Sequence, residues 1–273
     1  MSPVPAPTTG LLTGRTVLVT GVLRPTSIAA AIAATAREQG ARVVLTGHPR
    51  VLPITEATAR RIGGIDVVLP LDATDAAALA GLTSALRACG ITRLDGVVHS
   101  IARANPDLLG TVLPAETVGD AAPVAARLQE LAAAFTASVA SFPALVAAVD
   151  PLLGEDASAV ALSFDTGHVH PGYGWMGPLK TTLEATVRSL AVELGPRGVR
   201  VNALSAGPLH TQAASAIPDF EELAARWERA APLGWDAADP SPVARSAVAL
   251  LSSWLPATTG QILHADGGAP LRL

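Results

Sequence analysis

Residues 16–29 read Thr-Val-Leu-Val-Thr-Gly-Val-Leu-Arg-Pro-Thr-Ser-Ile-Ala. The run 16–20 is short, apolar and rich in β-branched residues, which predicts a strand. Gly21 permits the tight turn that ends it. From Ser27 the apolar spacing becomes helical over 27–39 and closes at Gly40. A helix starting near Ser27 offers free backbone N–H groups to a pyrophosphate. The turn lacks a G-x-G-x-x-G pattern, so alone it reads equally well as a structural turn or as a phosphate cradle.

The same alternation runs along the rest of the chain. Apolar runs at 42–46, 66–71 and 94–99 are interleaved with helical patterns at 55–61 and 75–88. The second half repeats it, with runs at 157–163, 200–204 and 261–265, a helix reaching 193 and another over 241–252. Continuous apolar strands alternating with helices predict a Rossmann-like α/β fold. Its doubly wound parallel sheet has seven strands with helices on both faces, and ligands lie beyond the carboxyl ends of the strands. No repeat or low-complexity linker divides residues 11–273, which are read as one dinucleotide-binding catalytic domain. Residues 1–10, MSPVPAPTTG, carry neither a basic region nor an apolar signal core and are expected to be a disordered tail.

Apolar residues make up 49% of the chain, much of it alanine, yet no uninterrupted run reaches the ~18 residues that suggest a bilayer span. The nearest, 131–153, is broken by Thr136, Ser138, Ser141, Pro143 and Asp150 and is expected to be a buried or subunit-facing helix. The single cysteine, Cys89, precludes an internal disulfide and fits a reducing cytoplasm. A net charge of −4 with scattered arginines argues against nucleic acid as a partner.

One tyrosine, Tyr173, and one lysine, Lys180, stand seven residues apart in a chain with eighteen arginines. A position that stays lysine in that background calls for a compact ammonium with rotatable donors rather than a planar fork. The lone tyrosine points to a phenol needed for its hydroxyl. Seven residues advance a helix by about 700°, so the pair is expected to share one helix face as an acid with its electrostatic partner. His168-x-His170 has the look of a metal pair but no third ligand. It is read as active-site rim, without a metal.

Six segments together resemble the enoyl-acyl-carrier-protein reductases, a divergent branch of the short-chain dehydrogenase/reductase superfamily. They are TGVLRPTSIA (20–29), LTGHPR (45–50), LDGVVHSIA (94–102), SFDTGHVHPGYGWMGPLK (163–180), VRVNALSAGPLHT (199–211) and TTGQILHADGG (258–268). The pattern is nearest to actinobacterial and mycobacterial members. Ordinary members of the superfamily carry lysine four residues after the tyrosine and serine thirteen before it, but here those positions are Gly177 and Val160. Six residues between tyrosine and lysine, with the aromatic Phe164 nine before the tyrosine, resemble the enoyl reductases instead.

The resemblance implies hydride transfer from NADH, with NADPH less favoured, to the trans-2 double bond of an enoyl thioester. The acyl chain would ride on acyl carrier protein or coenzyme A, in fatty acid or related biosynthesis, and the protein would be a homotetramer. Tyr173 would stabilise charge on the carbonyl oxygen, Lys180 would hold the nicotinamide ribose, and Phe164 would either wall the site against water or serve only as a core phenylalanine. Gly21, Ser27 and Ile28 match the loop over the pyrophosphate and nicotinamide, and Ser100, Ile101 and Ala102 match the segment after the fourth strand. Gly207, Pro208, Leu209 and Thr211 match the loop around the carboxamide and phosphates. Asp72 and Ala73 match the adenine edge. His48 and Arg50 stand where many NAD enzymes place an acid for the ribose.

Three departures mark the match. Arg103 follows Ser100–Ala102 where relatives carry an apolar or small residue; it either points into the acyl pocket or is a solvated loop arginine. Residues 104–125 match poorly and contain no aromatic residue. The substrate loop, around 212–232, is short, which implies acyl chains of ordinary length. Two rival readings are a specialised-metabolism reductase for an unusual or carboxylated enoyl substrate and a catalytically silent NAD(H)-binding regulator. Retention of Tyr173 and Lys180 speaks against the second.

Overall fold

A computed structural model of the chain describes residues 10–113 and 121–273, so the expected tail lies outside the described residues except for Gly10. The Gly10 carbonyl accepts from the Thr13 N–H at 3.1 Å, closing the turn that leads into the first strand.

Seven strands form one sheet in the order β3-β2-β1-β4-β5-β6-β7. They are β1 (Thr16–Val19), β2 (Arg42–Gly47), β3 (Val67–Pro70), β4 (Leu94–His99), β5 (Leu153–Ser163), β6 (Arg200–Ala206) and β7 (Ile262–Ala265). Every pairing is parallel. The helices are α1 (Ile28–Glu38), α2 (Leu52–Ile62), α3 (Ala76–Ala88), α4 (Ala121–Phe135), α5 (Ser141–Val149), α6 (Met176–Leu194), α7 (Phe220–Ala230) and α8 (Ser241–Leu251).

Strand alternation divides the core between the two faces of the sheet. Val17, Val19, Val160 and Leu162 pack with α1 and α8, whereas Leu18, Ala159 and Ala161 pack with α3, α5 and α6. Both faces are therefore buried, which is why the strands read as continuous apolar runs. The strand order reverses between β1 and β4, and the crevice above their carboxyl ends is where a doubly wound sheet takes its ligand.

Two stretches differ from the sequence expectation. The helix expected over 131–153 is longer and composite: α4, a π-helical turn at Thr136–Ala140, then α5. Pro143 has no N–H to donate to the carbonyl of Val139 four residues back, and the π-helical turn lies just before it, with the Ser141 N–H reaching the Thr136 carbonyl. The helical run Ala122–Leu152 is long and apolar enough to cross a membrane, and half of its most apolar window is buried within the molecule. The expected substrate loop is not a loop throughout. It contains α7, whose Phe220, Leu223, Ala224 and Trp227 recur at helical spacing and are buried.

Candidate active site

Backbone geometry at the end of β1 shapes the crevice. The Thr20 N–H and hydroxyl both donate to the Val98 carbonyl, at 3.0 and 2.9 Å, tying the exits of β1 and β4 together. Gly21 follows at φ +79°, and a Cβ there would run into the backbone of Ser100. Only glycine permits both the left-handed turn and that approach. Ser27 then caps α1 by accepting from the Ala30 N–H at 3.2 Å, so the helix points its free N–H groups into the crevice.

A cavity of about 280 Å³ lies over these strand ends. It is lined by Ser27 and Ile28 of α1, by Ser100, Ile101 and Ala102 after β4, and by Gly207, Pro208, Leu209 and Thr211 after β6. Phe164, Tyr173 and Lys180 complete the wall. Of the expected cofactor residues, Gly21, His48, Asp72 and Ala73 lie outside it. Gly21 acts through the turn alone. His48 and Asp72 sit past the ends of β2 and β3 and pair with each other, Nε2 to Oδ2, at 3.3 Å. Hydrogen bonds from the Thr74 hydroxyl and N–H, and then the His48 ring, hold the Asp72 carboxyl below its ordinary range. The exposed Arg50 gives its backbone N–H to His48 Nδ1, and its guanidinium has no partner among the described residues.

Tyr173 and Lys180 meet in the cavity but do not share a helix face. α6 begins at Met176, so Tyr173 lies in the preceding turn and Lys180 is the fifth helical residue. That turn is built on Gly172 at φ +81° and Gly174 at φ +51°. It is held from outside: Trp175 N–H donates to the Leu108 carbonyl at 2.8 Å and Gly110 N–H to the Gly172 carbonyl at 2.9 Å. The poorly matched stretch 104–125 thus positions the tyrosine through Leu108 and Gly110, while its residues 114–120 lie outside the described residues.

Burial pushes the Tyr173 phenol well above its ordinary range, so the hydroxyl stays protonated and able to donate. Burial also draws the Lys180 ammonium down to about 8, against the opposing pull of Glu184 one helical turn on. Lys180 Nζ donates to the Leu162 carbonyl at 2.6 Å. The Phe164 ring lies 4.9 Å from that of Tyr173 and 5.3 Å from that of Trp227, forming an aromatic wall behind the phenol. Val160 is fully buried on the α8 side of the sheet, so its position faces away from the cavity.

His168 and His170 are not the rim of the site. Both rings bond the same oxygen of buried Asp165, His168 Nδ1 at 2.9 Å and His170 Nε2 at 2.8 Å, and His170 is buried behind Phe164. Burial pushes the Asp165 carboxyl up, but hydrogen bonds from the Gly167 N–H and the two imidazoles outweigh it and hold it below the ordinary range. Among the described residues no group of three or more metal-ligating side chains occurs.

Comparison with known proteins gives the family. The family model described as enoyl-(acyl carrier protein) reductase matches residues 21–270. This chain belongs to the enoyl-(acyl carrier protein) reductase family. It is 38% identical to the NADH enoyl-[acyl-carrier-protein] reductase of Mycolicibacterium smegmatis, covering 97% of this chain and 99% of that protein. It is 37% identical to the Mycobacterium avium enzyme of the same name over the same shares. Against the Escherichia coli enzyme the identity is 34%, over 95% of each chain.

In this enoyl reductase family member, several residues behind the cavity wall were not singled out by the sequence reading. Glu184 accepts from the Ser163 hydroxyl at 2.6 Å and the Thr166 hydroxyl at 2.7 Å, pinning the exit of β5 beneath the cavity. His99 is fully buried, bonds Ser141 Oγ at 2.7 Å, and is driven down to about 3 by burial and then by the Lys180 charge. Trp227, wholly buried, donates its indole N–H to the Asp266 carbonyl at 2.9 Å. The i, i+3, i+4, i+7 spacing of α7 was the available signal for Trp227.

Proposed function

We propose that this chain reduces the trans-2 double bond of an enoyl thioester carried on acyl carrier protein or coenzyme A, using NADH. The observation that carries the reading is the meeting of Tyr173 and Lys180 at one cavity, backed by Phe164, with no serine facing it from position 160. The residues present fit a dinucleotide. The N-terminus of α1 opens at the turn that Gly21 makes possible, and no acid lines the cavity among the described residues.

Bound NADH would supply the hydride that reaches the β-carbon of the enoyl group. Tyr173 donates to the thioester carbonyl oxygen as negative charge develops there, a role worth about 3 to 4 kcal/mol for a single well-placed donor. Lys180 turns its ammonium to the ribose hydroxyls and adds positive potential. Phe164 excludes water from the reacting carbons. Ser27 and Ile28 lie over the pyrophosphate and nicotinamide, and the segment Ser100–Ala102 lines the cofactor after β4. Gly207, Pro208, Leu209 and Thr211 hold the carboxamide, and His48, Asp72 and Ala73 flank the adenine. The unpaired Arg50 could receive a 2′-phosphate, so NADPH is the less favoured cofactor rather than a forbidden one.

Residues 11–273 act as one catalytic unit in this reading, in the cytoplasm and as a homotetramer. The exposed Leu128 and Phe135 of α4, beside α6, support a subunit contact. The test is direct. Purified protein should oxidise NADH with a medium-chain trans-2-enoyl thioester and leave 3-ketoacyl thioesters untouched. Ketoreduction faster than enoyl reduction would overturn the proposal.

A further inference from the structure

The charged side chains lining the cavity among the described residues are Arg24, Arg103 and Lys180, and none is acidic. Two of the three cations are engaged. Lys180 donates to the Leu162 carbonyl at 2.6 Å, and Arg24 Nε donates to Gln212 Oε1 at 2.6 Å. The Arg103 guanidinium has no partner among the described residues. Its backbone, by contrast, is held on both sides by one hydroxyl. Arg103 N–H donates to Ser138 Oγ at 3.0 Å, and the same hydroxyl donates back to the Arg103 carbonyl at 3.1 Å.

A fixed backbone carrying a free, exposed guanidinium on a cavity wall without carboxylates is an anion receptor waiting for its ligand. A planar fork of donors matches the paired oxygens of a carboxylate or phosphate. The position of the loop says which molecule brings them. Arg24 stands on the α1 side, with the helix N-terminus that suits the cofactor's pyrophosphate. Arg103 instead begins the loop that runs on to Leu108 and Gly110, which hold the turn carrying Tyr173. An anion on Arg103 therefore belongs to the molecule whose carbonyl reaches Tyr173.

We infer that Arg103 is a specificity residue of the reductase, receiving an anionic oxygen group on the enoyl substrate distal to the double bond. The group is either a carboxylate on the acyl chain or the phosphate of the pantetheine-bearing carrier. The inference rests on the enoyl reductase reading above.

The test compares wild type with Arg103→Gln on three substrates. These are a medium-chain trans-2-enoyl thioester of N-acetylcysteamine, its ω-carboxylated analogue, and the plain enoyl thioester of coenzyme A. The ratio of kcat/KM for an anion-bearing substrate to that for the plain N-acetylcysteamine thioester should fall about tenfold or more, with the change carried in KM. A fall for the ω-carboxylated substrate alone assigns the acyl carboxylate, and a fall for the coenzyme A thioester alone assigns the carrier phosphate. Arg103→Lys should restore part of the ratio, since it keeps the charge but not the fork. Unchanged ratios, or a loss confined to NADH affinity, would overturn the inference. Failure of the wild type to turn over any of the three tells against the reductase reading itself. Calorimetric binding of the saturated ω-carboxylated and plain N-acetylcysteamine thioesters then still reads Arg103. A preference for the carboxylated ligand that Arg103→Gln abolishes supports its role, and no such preference refutes it.

Discussion

Lys180 gives its ammonium to the carbonyl of Leu162 across 2.6 Å, joining the start of α6 to the last residues of β5. The chain's only lysine is thereby buried, aimed and partly satisfied before any ligand arrives. It is also held close to neutral pH, because burial penalises its charged form.

That burial predicts a pH dependence with a defined sign. Lys180 is charged below about 8 and loses its proton above it, so NADH affinity should weaken as pH rises from 7.5 to about 9. Lys180→Ala should bind NADH more weakly at neutral pH and show no such decline. The folded lysine titrates near 8 and the unfolded one near 10.5, so the unfolded state binds more protons between them and stability should rise over that window. Lys180→Arg should misplace the donors in the buried slot and fail to restore affinity. Fluorescence titration of NADH across pH for the three proteins decides the matter.

Tyr173→Phe removes a hydroxyl that has no hydrogen-bond partner among the described residues. Folding stability and NADH affinity should therefore stay near wild type, while the chemical rate falls by about 10²- to 10³-fold. Single-turnover measurement with a saturating enoyl thioester separates the two effects. Equal losses in cofactor binding and chemistry would remove the phenol from its transition-state role.

Gly174→Ala tests how the tyrosine turn is held. At φ +51° a side chain is strained, and its Cβ would collide with the backbone at Leu108 and Leu109. The strain alone is about 1–3 kcal/mol, and the collision must displace the turn that presents Tyr173. Melting temperature and kcat should fall together, whereas Gly177→Ala, which meets nothing within 4 Å, should leave melting nearly unchanged. Matching effects from the two substitutions would show that the contact with Leu108 is not what positions the turn.

His99 predicts the acid side of the stability profile. Its imidazole is buried with Nδ1 unpartnered, and it titrates near 3 in the fold against 6.5 for an ordinary histidine. Between those values the unfolded state holds the extra proton, so the stabilising contribution is full above 6.5 and declines as pH falls. One proton corresponds to a slope of about 1.4 kcal/mol per pH unit. Thermal unfolding from pH 7 to 4 should show a shallower acid limb for His99→Asn. An unchanged slope would mean that other groups, such as the buried His170, carry it.

The sequence by itself determined the alternation of seven strands with helices, the turn at Gly21 and the cap at Ser27, and it singled out Tyr173 and Lys180 as candidates. These are readable because strand and helix periods, turn glycines and helix caps are local properties of neighbouring residues. Tertiary structure alone decided how those residues are presented. Tyr173 lies in a turn between two left-handed glycines rather than on α6, because Leu108 and Gly110, more than sixty residues earlier, bond that turn. Asp165 draws the two histidines away from the cavity, and Trp227 backs Phe164 from a helix that the comparison of loop lengths had concealed. Arg103 is informative because no acid lines the cavity around it among the described residues. Contacts of this kind join segments far apart in the chain. Their free energy depends on burial and geometry that arise only once the sheet has formed, and no spacing within either segment encodes it.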